Sequence, residues 1–234
     1  MVLSGQYRNP SDFINQYRNN SPFPHIVLDD FISTDLLDSV LKEFPDLSAI
    51  ENKIEFVNQK EIKFASQGSS DLSPSARVLV NFLNSDRFLK YLQKITGIKE
   101  TLISDPYLSG GGYHEIKAGG FLKVHADANK HPKLNLDRRV NLLLYLNKDW
   151  DAAWGGNLEL YCSDDLSSPA VVIEPIFNRC VIFTTTSFTY HGHPEPLACP
   201  KETSRKSIAL YYFSTGRPES EMATAKHSTL FVKN

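Results

Sequence analysis

The chain has 234 residues, of which 41% are hydrophobic, 22% charged and 11% aromatic, and its formal net charge is −2. This is the composition of one ordinary globular domain, and so small a charge gives no field that would favour nucleic acid or an anionic membrane surface. The odd count of three cysteines (Cys162, Cys180, Cys199), the absence of a signal-like start in MVLSGQYRNP and the lack of an apolar run near the roughly 18 residues of a membrane span together set the expectation of a cytoplasmic enzyme or binding domain with no disulfide framework.

Residues 1–22 are polar and weakly periodic, and read as a surface arm or short helix. Phe23–Leu28 reads as a short strand. Ser33-Thr34-Asp35 can cap a helix whose apolar face is Leu36, Leu37, Val40, Leu41 and Phe44, stopped by Pro45. Ser73-Pro74 opens a second helical stretch, with Val78, Leu79, Phe82, Leu83, Phe88, Leu89, Leu92 and Ile95 at helical spacing. It divides near Asn84-Ser85-Asp86 and stops at Gly97.

From about residue 100 short β-rich runs alternate with turn residues. The predicted strands are Tyr113–Lys117, Leu122–Asp127, Val140–Asn147, Asn157–Tyr161, Val171–Glu174, Cys180–Thr185 and Ser207–Ser214. Many short strands without intervening helices imply a sandwich or barrel. The expectation is a single domain over 1–234: a mainly helical N-terminal support (1–99), a β-barrel or jelly roll (100–216) and a C-terminal tail (217–234).

Side chains two apart on a strand share a face, so His125 and Asp127 can offer an imidazole and a carboxylate to one metal ion. A further histidine after the apolar strand Val181-Ile182-Phe183 would complete two histidines and one carboxylate. His191 and His193 both qualify. Such a triad leaves cis positions open on an octahedral iron. Arg205 begins an apolar run 14 residues after His191. An inward guanidinium needs an anion, and its fork matches a carboxylate.

These pieces, in this order, resemble the Fe(II)/2-oxoglutarate-dependent dioxygenase superfamily, and most closely its prolyl 4-hydroxylase-like branch. Leu144–Asp151, Gly155–Leu160 and Ile173-Glu174-Pro175 before Asn178-Arg179 carry the likeness furthest. The resemblance implies a double-stranded β-helix (jelly roll) flanked by α-helices. It implies Fe(II) at His125, Asp127 and His191, and 2-oxoglutarate as cosubstrate, with Arg205 and the Tyr145 hydroxyl at its distal carboxylate and Leu143 and Tyr211 lining its pocket. Dioxygen is then the oxidant, with ascorbate as an optional reductant. The implied reaction is hydroxylation of an unactivated C–H bond with release of succinate and CO2, on a small-molecule or peptidyl substrate such as a prolyl residue or a free amino acid. A carboxylate at Asp127, where related halogenases have a small residue, points to hydroxylation rather than halogenation. The family often has a tyrosine eight to ten positions before its first iron histidine. Here that stretch reads Glu115-Ile116-Lys117, and the nearest tyrosine is Tyr113.

The rival reading is a cupin-like isomerase or binding module that uses the triad for Zn(II) or Mn(II). Such a site gives Arg205 no task. The oligomeric state is open, a homodimer included.

Overall fold

The computed structural model describes residues 2–224 and 226–232. Thirteen strands lie in chain order: β1 His25–Leu28, β2 Ile54–Val57, β3 Glu61–Ala65, β4 Ile103–Ser104, β5 Gly112–Lys117, β6 Phe121–Ala126, β7 Asp137–Tyr145, β8 Leu158–Tyr161, β9 Val171–Ile173, β10 Cys180–Thr184, β11 Tyr190–His193, β12 Ser204–Ser214 and β13 Leu230–Phe231. Ten of these thirteen strands of the described residues pair in one continuous antiparallel path, β1-β10-β7-β12-β5-β3-β6-β11-β8-β9, which curls into the jelly roll, while β2 pairs with β3, β4 with β12 and β13 with β6. Among the described residues four α-helices join them: α1 Ile14–Asn19, α2 Thr34–Lys42, α3 Pro74–Leu83 and α4 Asp86–Thr96.

Local chemistry explains the helix ends. The Ser73 hydroxyl accepts the Ala76 amide with Pro74 in the first turn, and the Ser85 hydroxyl accepts the Phe88 amide. Gly97 closes α4 in the left-handed region at φ +72°. The buried faces Leu37/Val40, Leu79/Val80/Leu83 and Phe88/Leu92/Ile95 cover one side of the sheet. There they pack with Val140, Leu142 and Leu144 of β7 and Ile208, Leu210 and Tyr212 of β12 in one apolar core.

The structure refines three expectations. Of the two readings of residues 1–22, the short helix holds: Tyr17 of α1 is fully buried and shares a 2.7 Å hydrogen bond with Thr184 of β10. The strand expected at Phe23–Leu28 is β1, which joins the sheet edge at β10, and the first 99 residues also supply the β2–β3 hairpin, which is not among the expected strands. In that hairpin Ile54 and Phe56 alternate with polar partners across an Asn58 turn, whose side chain accepts the amides of Lys60 and Glu61. Strand β3 pairs with both β5 and β6, so this hairpin joins the two walls of the roll. The segment after residue 216 is not a plain tail: β13 returns to β6, setting Leu230 against Ala126 and Phe231 against His125.

The predicted strands after residue 110 fall within a few residues of those observed. Two boundary shifts matter. Strand β12 starts at Ser204, so Arg205 lies within it, whereas β6 ends at Ala126, so Asp127 leaves the strand.

Candidate metal centre

Pairing of β6 with β11 sets His191 directly opposite His125. Gly192 follows because the strands approach too closely for a side chain: a Cβ there would stand 2.8 Å from the Leu122 carbonyl oxygen. Asp127, one step beyond β6, turns its carboxylate toward both rings. Its Oδ1 is 3.7 Å from His125 Nε2 and its Oδ2 is 3.4 Å from His191 Nε2. One ligand atom from each residue lies within 4.8 Å of the other two. Cis ligands about 2.1 Å from an octahedral ion would be roughly 3 Å apart, so small adjustments close the set on a metal.

The ring orientations fit that task. Nδ1 of His125 contacts the Lys123 carbonyl at 2.8 Å, and Nδ1 of His191 contacts that of Thr189 at 3.1 Å. A carbonyl can only accept, so the proton sits on Nδ1 and each Nε2 presents its lone pair to the centre. Burial first, then the nearby His125 and Arg138, depress the His191 pKa to about 4 against the opposing pull of Asp127. Burial raises the Asp127 carboxyl, but the Arg138 guanidinium and the two imidazoles outweigh it and hold it well below the usual carboxylate range. The donor set is thus two imidazoles and one carboxylate, suited to a divalent ion.

Two residues absent from the sequence reading steady Asp127. Asn141 Nδ2 donates to its Oδ2 at 2.8 Å, and Arg138 Nη2 lies 3.1 Å from the same oxygen. Arg138 Nε also donates to Asn141 Oδ1 at 2.9 Å, and its guanidinium lies flat over the Tyr211 ring at 3.5 Å. Oδ1 is thereby left to face the metal position.

The cavity continues from this cluster between Leu143, Leu158 and Ile116 to Arg205, and Tyr211 and Ser207 also line it. Arg205 is 6% exposed. Its Nε donates to the Gly156 carbonyl at 2.7 Å and its Nη2 to the Tyr145 hydroxyl at 3.1 Å. Gly156, at φ +73°, is dictated by this contact, since a Cβ there would meet Leu197 at 2.5 Å and the Arg205 stem at 3.0 Å. Both partners of the guanidinium are neutral, and a buried cation so placed calls for an anion in the cavity. The structure therefore brings His125, Asp127, His191, Leu143, Tyr211 and Arg205 to one cavity, with the Tyr145 hydroxyl held behind Arg205.

Tyr113 does not take the place of the tyrosine expected before His125. It is fully buried on the helical side, packed tilted against Phe44 with ring centroids 4.4 Å apart and bonded to Ser73. His114 and Ile116 line the cavity from that strand instead. His193 also lines it, outside the three-residue cluster. His131, in the loop after Asp127, turns inward: its Nδ1 accepts the amides of Lys133 and Leu134.

The comparisons with known proteins agree with this geometry. The profile of the 2OG-Fe(II) oxygenase superfamily matches residues 111–213. The chain is 30% identical over 200 residues to the prolyl 3-hydroxylase OGFOD1 of Mus musculus, covering 82% of this chain and 33% of that protein. It is 26% identical over 184 residues to the Xenopus laevis protein of the same name, covering 76% and 32%. The chain thus spans about a third of the length of these curated relatives. In fold it is similar to a Trichoplax adhaerens prolyl hydroxylase solved with a hypoxia inducible factor peptide fragment (TM-score 0.64, 19% identity, 89% of this chain and 91% of that one). It is also similar to a Pseudomonas putida prolyl-4-hydroxylase (TM-score 0.62, 14% identity, 88% and 99%). HygX of Streptomyces hygroscopicus, solved with nickel and 2-oxoglutarate, shares the fold as well (TM-score 0.57, 10% identity, 97% and 98%). Residues 111–213 belong to the 2OG-Fe(II) oxygenase superfamily, and the chain is similar to prolyl hydroxylases within it.

Proposed function

We propose that this chain hydroxylates a C–H bond of its substrate, a prolyl residue in a peptide, while 2-oxoglutarate is converted to succinate and CO2. The balance is one dioxygen consumed, with one oxygen atom entering succinate and the other the substrate. The observation that carries the reading is the pairing within one cavity of a His-Asp-His cluster and a buried guanidinium whose protein partners are neutral.

In this reading His125, Asp127 and His191 hold Fe(II), which supplies the binding of the keto acid and the activation of dioxygen. The chain's own residues do the positioning. Arg205, braced by Gly156 and Tyr145, anchors the distal carboxylate of 2-oxoglutarate bidentately. Leu143 and Leu158 keep the cosubstrate walls dry. Asn141 and Arg138 fix which carboxylate oxygen of Asp127 is presented.

Arg138 also borders an open cleft of about 660 Å³, which gives substrate a route to the metal end of the cavity. Lys133 and Lys226 line that cleft, and no carboxylate does so among the described residues. This supports a peptide with acidic residues near the oxidised position.

The test is direct. Iron-loaded anaerobic protein should develop a visible charge-transfer band on addition of 2-oxoglutarate. In air it should form succinate and add one oxygen atom to a prolyl peptide, faster for an acidic peptide than for a basic one. Correctly folded, iron-loaded protein that gives neither the band nor succinate would refute the reading.

A further inference from the structure

His193 is 4% exposed, and neither of its ring nitrogens has a hydrogen-bond partner among the described residues. That is unusual. Buried polar atoms are nearly always paired, and leaving one unpaired costs about 1–3 kcal/mol. His25, His125 and His191 each contact a backbone carbonyl through Nδ1, and His131 Nδ1 accepts two amides. His193 alone among these buried rings faces the cavity with both nitrogens unused.

Its place along β11 says what it faces. His191 pairs with His125, whereas His193 pairs with Leu122, across a register shift. His193 is thus displaced about 7 Å along the strand from the metal end, in the direction in which β8, paired beside it, runs back toward Gly156, whose carbonyl holds Arg205. A five-carbon keto acid held at the metal end by one carboxylate can reach that region with the other. A metal-ligand role does not fit, since the three ligand atoms that converge belong to His125, Asp127 and His191. A purely structural role does not fit either, because no group among the described residues satisfies the ring.

We propose that His193 is a cosubstrate-binding residue, which donates a ring N–H to the distal carboxylate of 2-oxoglutarate beside Arg205. The inference rests on the proposed function. In either tautomer one ring nitrogen carries the proton, so the ring supplies one donor. Arg205 supplies the charge, and His193 adds a short, directional hydrogen bond from a different strand. A dicarboxylate would gain from it, and a keto acid lacking the distal carboxylate would not.

The experiment is an anaerobic titration of Mn(II)-loaded protein with 2-oxoglutarate and, separately, with 2-oxobutyrate, which lacks the distal carboxylate. Wild type, His193→Val and His193→Gln are compared, and Mn(II) affinity and the thermal midpoint are measured for each. His193→Val should weaken 2-oxoglutarate about tenfold, the worth of one hydrogen bond to a charged group. His193→Gln, which keeps an N–H, should recover most of that loss. Affinities for 2-oxobutyrate and Mn(II) should change by less than about twofold. Unchanged 2-oxoglutarate affinity in His193→Val overturns the inference. So does an equal loss for both keto acids or for Mn(II), which would make the ring a support for the metal or the fold. A wild-type protein that binds Mn(II) but not 2-oxoglutarate overturns the proposed function along with it.

Discussion

The two faces of β7 and β12 are built from adjacent residues and do opposite work. Val140, Leu142 and Leu144, with Ile208, Leu210 and Tyr212, face the helices in a fully apolar layer. Asn141 and Leu143, with Arg205, Ser207 and Tyr211, face the cavity, where polar and charged side chains surround the metal position. The helix-facing side gains stability from burying apolar area. The cavity side gives some of it up to hold buried charge and unpaired donors. Function here depends on strands whose outer faces are anchored firmly enough to keep an unfavourable inner face in place.

Substitutions on each face can break that division. Asp127→Ala should have the largest effect. Metal affinity should fall by at least about two orders of magnitude, more than the outer partners of a ligand are worth. Succinate formation should stop, and Mn(II) should no longer raise the thermal midpoint as it does for wild type. Leu142→Ala should do the converse, costing about 2–5 kcal/mol in urea unfolding while the remaining folded protein keeps wild-type Mn(II) affinity. Arg138→Gln should have the smallest effect, lowering Mn(II) affinity about tenfold through the loss of support for Asp127, with little change in the urea midpoint. If Asp127→Ala unfolds the protein as readily as Leu142→Ala, the two faces do not divide the labour as described.

Much of this arrangement is legible in the sequence, because alternation is a strong signal wherever a strand is regular. It places Leu143 and Tyr145 on one face of β7 and gives His125 and Asp127 as a pair. It fails where regularity fails. Counting by twos from Val140 would put Arg138 on the helical side. A register shift between Tyr212 and Phe213 leaves Arg139 unopposed and turns Arg138 to the cavity. Strand β6 is irregular in the same way opposite His191 and His193, while those two histidines line one cavity because they are two apart on β11. The polar β2–β3 hairpin went unread because its apolar residues, Ile54, Phe56, Ile62 and Phe64, are only half-buried and so give a weak pattern. The Asn58 turn between them was the available signal. The role of β13 was hidden because it is two residues long and is defined only by its partner.

Strand β1 has a consequence for how the chain is made. Beyond its pairing with β10, Asn178 holds both the amide and the carbonyl of Ile32, at a sequence separation of 146, and Arg179 grips Asp29 through two hydrogen bonds. A ribosome releases these partners in the wrong order. At roughly 5–20 residues per second the segment around Ile32 waits on the order of 10–30 s for Asn178 to emerge. During that interval the apolar strand Ile26-Val27-Leu28 has no sheet to join. The nascent segment therefore keeps an unpaired apolar strand until Asn178 emerges, an exposure during biosynthesis that the finished fold conceals.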